Sequence, residues 1–125
     1  MIGGAYRFVP AVDDVTTVLR SVDILACPSL EEPFGLIILE AQACGIPVVA
    51  SASGGPLDFI TDRQTGILAA PTDDSSLAEG LIALLEDPRL RDGVARNAVD
   101  RVRADFTIER RADRMADVYR GLVSR

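Results

Sequence analysis

The sequence predicts an α/β fold, a parallel sheet with flanking helices that ends in two or three further helices. Three observations carry that prediction. Short apolar segments alternate with segments of helical period over the first seventy or so residues, as strands and crossover helices do in a parallel sheet. Pro47-Val48-Val49-Ala50-Ser51 is continuously apolar, the pattern of a strand covered on both faces. From Asp73 onward the apolar residues step by three and four, which is helical.

In chain order, Tyr6-Arg7-Phe8-Val9 reads as a short strand. Val12, Val15, Val18, Leu19 and Val22 recur at helical spacing, with Asp13 and Asp14 in the first turn, where the helix dipole favours negative charge. Asp23-Ile24-Leu25-Ala26-Cys27-Pro28 is the next strand and runs into a loop that ends at Gly35. Leu36 to Ala43 is a helix in which only Glu40 and Gln42 are polar. The strand Pro47 to Ser51 leads into a Gly54-Gly55 turn; a short helix near Pro56 to Ile60 and a strand from Gly66 to Ala69 complete the sheet. Leu77, Leu81, Leu84 and Leu85 mark a helix, and Asp87-Pro88 supplies a cap followed by proline at the first position of the next. Thr107 caps the last helix, whose stripe is Ile108, Ala112, Met115, Tyr119 and Leu122. Arg101, Arg103, Arg110, Arg111 and Arg114 are interleaved with acids and read as a solvated face. No repeat, low-complexity tract or linker interrupts the chain.

Composition narrows the chemistry. A chain of 125 residues, 48% hydrophobic and 26% charged, is one globular domain at most. Its net charge of -6 argues against nucleic acid as a partner, although not against a single nucleotide. All 13 basic residues are Arg, and the absence of Lys and His removes imidazole acid/base catalysis, Schiff-base chemistry and His-ligated metal together. Cys27 and Cys44 lack the spacing of a redox pair and read as reduced core thiols. Apolar runs fall far short of the roughly 20 residues of a bilayer span, and Met1-Ile2-Gly3-Gly4 lacks the basic start of a signal peptide. The expected location is cytoplasmic.

The most informative segment is Pro28-Ser29-Leu30-Glu31-Glu32-Pro33-Phe34-Gly35-Leu36-Ile37-Ile38-Leu39-Glu40. Glu40 sits in a segment that reads as buried, where an unpaired charge is costly and calls for a partner. Glu32 brings a second carboxylate, and Gly35 precedes a helix start whose free N–H groups and dipole favour an anion. Loops that follow parallel strands share the rim where open α/β sheets bind ligands, so this loop and the Ser51 to Gly55 turn should meet there. Two carboxylates beside an anion-ready helix end describe a site for a polar, phosphorylated ligand. Each residue also has a purely structural reading: Glu40 paired with an Arg, Glu32 and Glu31 solvated, Ser29 a turn residue, Gly54-Gly55 a conformational device.

This segment resembles the donor half of retaining glycosyltransferases of family 4 (group 1), which have the GT-B fold. Glu32 and Glu40 stand at that family's Glu-x7-Glu spacing around Phe34-Gly35-Leu36. Gly45-Ile46-Pro47-Val48-Val49-Ala50-Ser51, Ser53-Gly54-Gly55, Thr65-Gly66-Ile67-Leu68 and Phe106-Thr107 to Tyr119 follow as its later landmarks, so the likeness covers nearly the whole chain. It implies a Rossmann-like sheet and a hexosyl-type transferase that moves a sugar from a nucleotide-sugar donor to an acceptor with retention. Glu32 is then the catalytic carboxylate, which contacts the transferred sugar, and Glu40 accepts from the ribose hydroxyls. Backbone N–H groups near Gly35, Leu36 and Ile37 reach the distal phosphate, while Phe34, Ser29, Gly54 and Gly55 complete the donor site. Asp58 stands where the family commonly has glutamate, which leaves it without a transferred role.

No cofactor or metal is implied beyond the nucleotide-sugar substrate. Counted from the motif, Tyr6 to Val9 becomes the third strand of the donor domain. Residues 1–125 are therefore expected to be a partial C-terminal nucleotide-sugar-binding domain without its first two strands and without the N-terminal acceptor domain. In the strand order 3-2-1-4-5-6 the remaining sheet is split, and its open edges favour a strand-exchanged oligomer. A sugar, lipid or other small acceptor would be bound by the absent domain, the parent admits peripheral membrane association, and the chain by itself is expected to be inactive. The alternative is a non-catalytic nucleotide or nucleotide-sugar-binding module that works with a second chain.

Overall fold

The computed structural model describes residues 5–124. Met1-Ile2-Gly3-Gly4, read above for targeting, lies outside them. Asp14 opens α1 (Val15–Leu19): its carboxylate accepts from the Thr16 amide at 2.9 Å and the Thr16 hydroxyl at 2.6 Å. Asp14 is thus the cap rather than a first-turn residue, and the helix is shorter than the valine spacing predicts. Three parallel strands follow, β1 (Leu25–Cys27), β2 (Val48–Ser51) and β3 (Ile67–Ala69), in the spatial order β1-β2-β3. The crossovers carry α2 (Leu36–Ala43) and α3 (Pro56–Phe59), and three helices close the chain, α4 (Asp74–Glu86), α5 (Pro88–Asp105) and α6 (Ile108–Val123).

The core lies on both faces of β2, whose four residues are all buried. Side chains alternate across a strand. Val48 and Ala50 accordingly join Leu19, Ile38, Ala41 and Phe59 on one face, and Val49 joins Ile67, Ala69, Leu84 and Val94 on the other. The continuous apolar run of the sequence is thereby explained. Caps hold the helix boundaries: Asp73 accepts from the Ser75 and Ser76 amides, Asp87 from Arg89 and Leu90, and Thr107 from Arg110.

Three expectations are corrected. Tyr6 to Val9 is not a strand; it has no regular secondary structure and is exposed, Phe8 to 88%, and the sheet is contiguous rather than split. A strand needs a neighbour to satisfy its amides, and this segment finds none in the sheet. β1 pairs with β2 alone, so its outer edge is open among the described residues, and Ala26 is exposed there. Secondly, Arg101 is not a solvated residue of α5. It is half-buried and donates to the Thr61 hydroxyl at 2.8 Å and the Asp58 carbonyl at 3.3 Å.

The third correction concerns Glu40, which is exposed; the buried polar residue of α2 is Gln42, 2% accessible. Ile38, Ala41 and Gln42 turn inward, while Leu36, Glu40 and Ala43 share the outward face. Because that outward face also carries apolar residues, the helix has no amphipathic pattern to reveal its orientation. The Gln42 side-chain amide donates to the Thr65 carbonyl at 2.8 Å, which meets the cost of burial. The predicted α6 stripe exists as a face, but no residue of that helix is buried. Cys27 and Cys44 are free and half-buried.

Candidate functional site

Parallel strands bring the β1–α2 loop and the β2–α3 turn to the same rim, as the sequence predicts. The Gly55 N–H donates to the Glu32 carbonyl at 2.8 Å, and the Ser53 hydroxyl donates to the Leu30 carbonyl at 2.9 Å. Glu32 is half-buried in this loop, and the Ser29 hydroxyl donates to its carboxylate at 3.2 Å. Cys27 Sγ lies 3.5 Å from the same hydroxyl. Glu31 points to solvent.

Gly35 is the N-cap residue of α2, in the left-handed region at φ 95°, with no side-chain cap and no acidic residue in the first turn. The positive φ is what requires glycine there; a Cβ would in addition lie tight against the Ile38, Phe59 and Glu32 side chains at 3.2 to 3.3 Å. The first amides of α2, at Leu36 and Ile37, therefore begin a helix that offers positive potential and no internal anion. Phe34 is half exposed and packs at a tilt on Phe59, ring centroids 6.0 Å apart, and Phe59 in turn meets Phe106 edge-on at 5.8 Å.

Glu40 stands one turn beyond Leu36 on the exposed face of α2, and no arginine pairs with it among the described residues. The fixed Arg partner required by a purely structural reading is thus not found. Beside this face, a groove of about 800 Å³ runs between Phe34, Leu36 and Leu39 on one side and, on the other, Phe106 at the end of α5 with Ile108 and Met115 of α6. Among the described residues no cluster of His, Cys, Asp or Glu is placed to hold a metal ion. Among the described residues no helix is long and apolar enough to cross a membrane.

Sequence reasoning brought Ser29, Glu32, Phe34 to Ile37, Gly54 and Gly55 to one rim, and the structure does the same. It missed Ser53, Gln42 and Arg101. Ser53 was legible as a neighbour of the glycine pair, whereas Gln42 and Arg101 act across 23 and 40 or more residues and leave no local signal.

The parallel sheet flanked by helices matches the C-terminal domains of glycosyltransferases of GT-B fold. The chain belongs to the family described as glycosyl transferases group 1, which it matches over residues 2–101. It is 40% identical over 115 residues to a D-inositol 3-phosphate glycosyltransferase of Salinispora arenicola, covering 90% of this chain and 25% of that one. The chain thus spans about a quarter of the length of the curated relatives it matches. Among solved structures, it is similar to the C-terminal domain of a group 1 glycosyl transferase from Francisella tularensis. The TM-score there is 0.73, at 32% identity and over 82% of this chain and 53% of that one. Anabaena HepE, solved in complex with UDP, is 28% identical with a TM-score of 0.79, covering 83% and 29%.

Proposed function

We propose that the chain is part of the donor-binding domain of a retaining, hexosyl-type glycosyltransferase of family 4. The observation that carries this reading is the exposed Glu40, unpaired among the described residues, one turn beyond an uncapped helix start, with Glu32 in the loop that enters the same helix. Glu40 accepts hydrogen bonds from the ribose, the Leu36 and Ile37 amides meet the distal phosphate, and Glu32 with Phe34 and Gly35 meets the transferred sugar. The nucleotide bound by HepE supports a nucleotide-linked donor. Exposure of Glu40 suits this role better than burial does, since a carboxylate sealed in the core cannot reach a diffusing ligand.

In this reading the protein positions the donor and stabilises the departing diphosphate, with no metal or cofactor required. The chain is a partial domain, in line with its 53% coverage of a solved C-terminal domain. Further segments of a longer cytoplasmic parent, itself capable of peripheral membrane association, bind the acceptor. This chain alone has no transferase activity. The open edge of β1 is the place where further strands pair, from the parent or by exchange with a second copy; concentration-dependent sedimentation tests the exchange.

The test is a thermal unfolding scan with UDP-, GDP- and ADP-sugars. At about 100 times the dissociation constant, one of them stabilises the chain by about 2.7 kcal/mol, and Glu40→Ala abolishes the gain. No stabilisation by any of the three overturns the reading. The alternative, a non-catalytic nucleotide-binding module, is separated by Glu32→Ala in the assembled enzyme, which lowers turnover in the first case and leaves the module unaffected in the second.

A further inference from the structure

We propose that the Ser53-Gly54-Gly55 turn and Ser29 form a positioning device for Glu32 rather than a set of ligand contacts. The inference rests on the donor-site reading above and deepens it. A phosphate cradle of backbone amides needs N–H groups turned outward and free. The Gly55 N–H is already donated to the Glu32 carbonyl at 2.8 Å, and Gly55 itself is buried.

The Cβ side of each glycine is filled by the opposing loop. A methyl group on Gly54 would overlap the Glu32 carbonyl oxygen, and one on Gly55 would overlap the Phe34 carbonyl, both far inside van der Waals distance. The colliding atoms are backbone, which has no rotamer to escape into. Glycine is required here because two loops are in backbone contact, and at Gly54 also because φ is 65°. Ser53 adds its hydroxyl bond to Leu30, so the turn grips the loop at residues 30, 32 and 34.

The side chain is set separately. Ser29 donates to the Glu32 carboxylate at 3.2 Å from three residues earlier in the same loop, which selects one orientation of the acid. Backbone and carboxylate of Glu32 are thus fixed from two directions before any ligand arrives, the preorganisation that a sugar-contacting group needs. Neither Ser29 nor the turn touches the nucleotide; they act through Glu32.

Two readouts on the intact chain test this. Hydrogen exchange of the residue 55 amide, which donates to the Glu32 carbonyl, is compared between the unsubstituted chain, Gly55→Ala and Ser53→Ala. Gly55 has a helical φ of -53°, so alanine adds no backbone strain of its own and acts by pressing its Cβ against the Phe34 backbone, which forces the two loops apart. Exchange of that amide should rise about tenfold, the loss of roughly one hydrogen bond, while α4 and α5 stay protected. Should Gly55→Ala fail to fold, Ser53→Ala carries the comparison, since it removes only a half-exposed hydroxyl. Unchanged exchange of the residue 55 amide in the folded variants overturns the proposal.

The second readout is the affinity ratio of UDP-, GDP- or ADP-glucose to the corresponding free diphosphate. Ser29→Ala should lower that ratio about tenfold with the diphosphate affinity unchanged, and Ser29→Thr should restore it. An equal loss for sugar-nucleotide and diphosphate overturns the proposal, because it makes Ser29 a nucleotide contact. If the loop loosens as expected but the unsubstituted chain binds none of the three donors, the positioning role stands and the donor-site reading falls.

Discussion

Gln42 and Arg101 tie together segments that sequence patterns treat as unrelated. Gln42 holds the Thr65 carbonyl; the Thr65 hydroxyl in turn accepts from the Thr61 amide at 2.9 Å, and the Thr61 hydroxyl accepts from Arg101. This run of polar groups links α2, the loop before β3 and α5 beneath the rim. Replacing Gln42 by Leu keeps the volume but leaves the Thr65 carbonyl buried and unpaired. That should destabilise the chain by about 1–3 kcal/mol, read as a lower urea midpoint with an unchanged m-value. Arg101 Nε is buried without an acceptor, so the guanidinium is held by two of its three nitrogens. Its bonds to Asp58 and Thr61 pin the C-terminal end of α3, whose N-terminal end is the turn that grips the Glu32 loop.

At the scale of elements, the helices owe their boundaries to caps that are local in sequence and therefore readable in it. Asp87 closes α4 and opens α5, accepting from the Arg89 and Leu90 amides at 2.9 and 3.0 Å. Asp87→Ala should cost about 1 kcal/mol and lower the thermal midpoint accordingly. Asp14 caps α1 in the same way, and the Thr16 hydroxyl first, then the Thr16 amide, hold its carboxyl below the usual value of 3.8. Its folded pKa lies below its unfolded one, so its contribution is complete above the unfolded value and is lost as pH falls through the folded one. The Thr16 amide resonance should therefore shift with a midpoint below pH 3.8 as the cap is protonated, while resonances of β2 stay fixed. The two strand-following loops differ from these helices because they are joined across the rim by tertiary contacts alone.

Across the whole molecule, cohesion is concentrated on the two faces of β2 and fades toward both ends. Leu84 and Val94 bring α4 and α5 onto the sheet, but α6 contributes no buried residue, and its Ile108, Val118, Tyr119 and Leu122 are largely exposed. Removal of residues 107–125 should therefore change the unfolding free energy by no more than about 1 kcal/mol, within the range of surface changes. Circular dichroism would show the loss of one helix with little change in melting temperature. A large destabilisation would mean that the groove between α6 and Phe34 is a packed interface. The N-terminal segment belongs with α6 in this respect: Tyr6 and Phe8 meet each other edge-on at 5.5 Å and little else of the core.

The parts of this fold that depend on nearest neighbours in sequence were determined by the sequence itself. The continuous apolar run at Val48 to Ala50 announced a strand buried on both faces, and Asp73, Asp87 and Thr107 announced the helix starts. The Glu32 to Glu40 spacing around Phe34-Gly35-Leu36 pointed to the group 1 glycosyl transferase family. Three matters were decided only by tertiary structure. Tyr6 to Val9 has the residues of a strand, but a strand exists only where a partner offers hydrogen bonds, and none is offered in this sheet. Glu40 and Gln42 are both polar in an apolar helix, and which of them is buried depends on where Thr65 lies, 23 residues beyond Gln42. Gly54 and Gly55 read equally as a cradle or as a turn until the Glu32 and Phe34 carbonyls are seen against them. Local preferences are carried by the chain at each point, whereas burial and backbone contact belong to pairs of segments and come into being only when those segments meet.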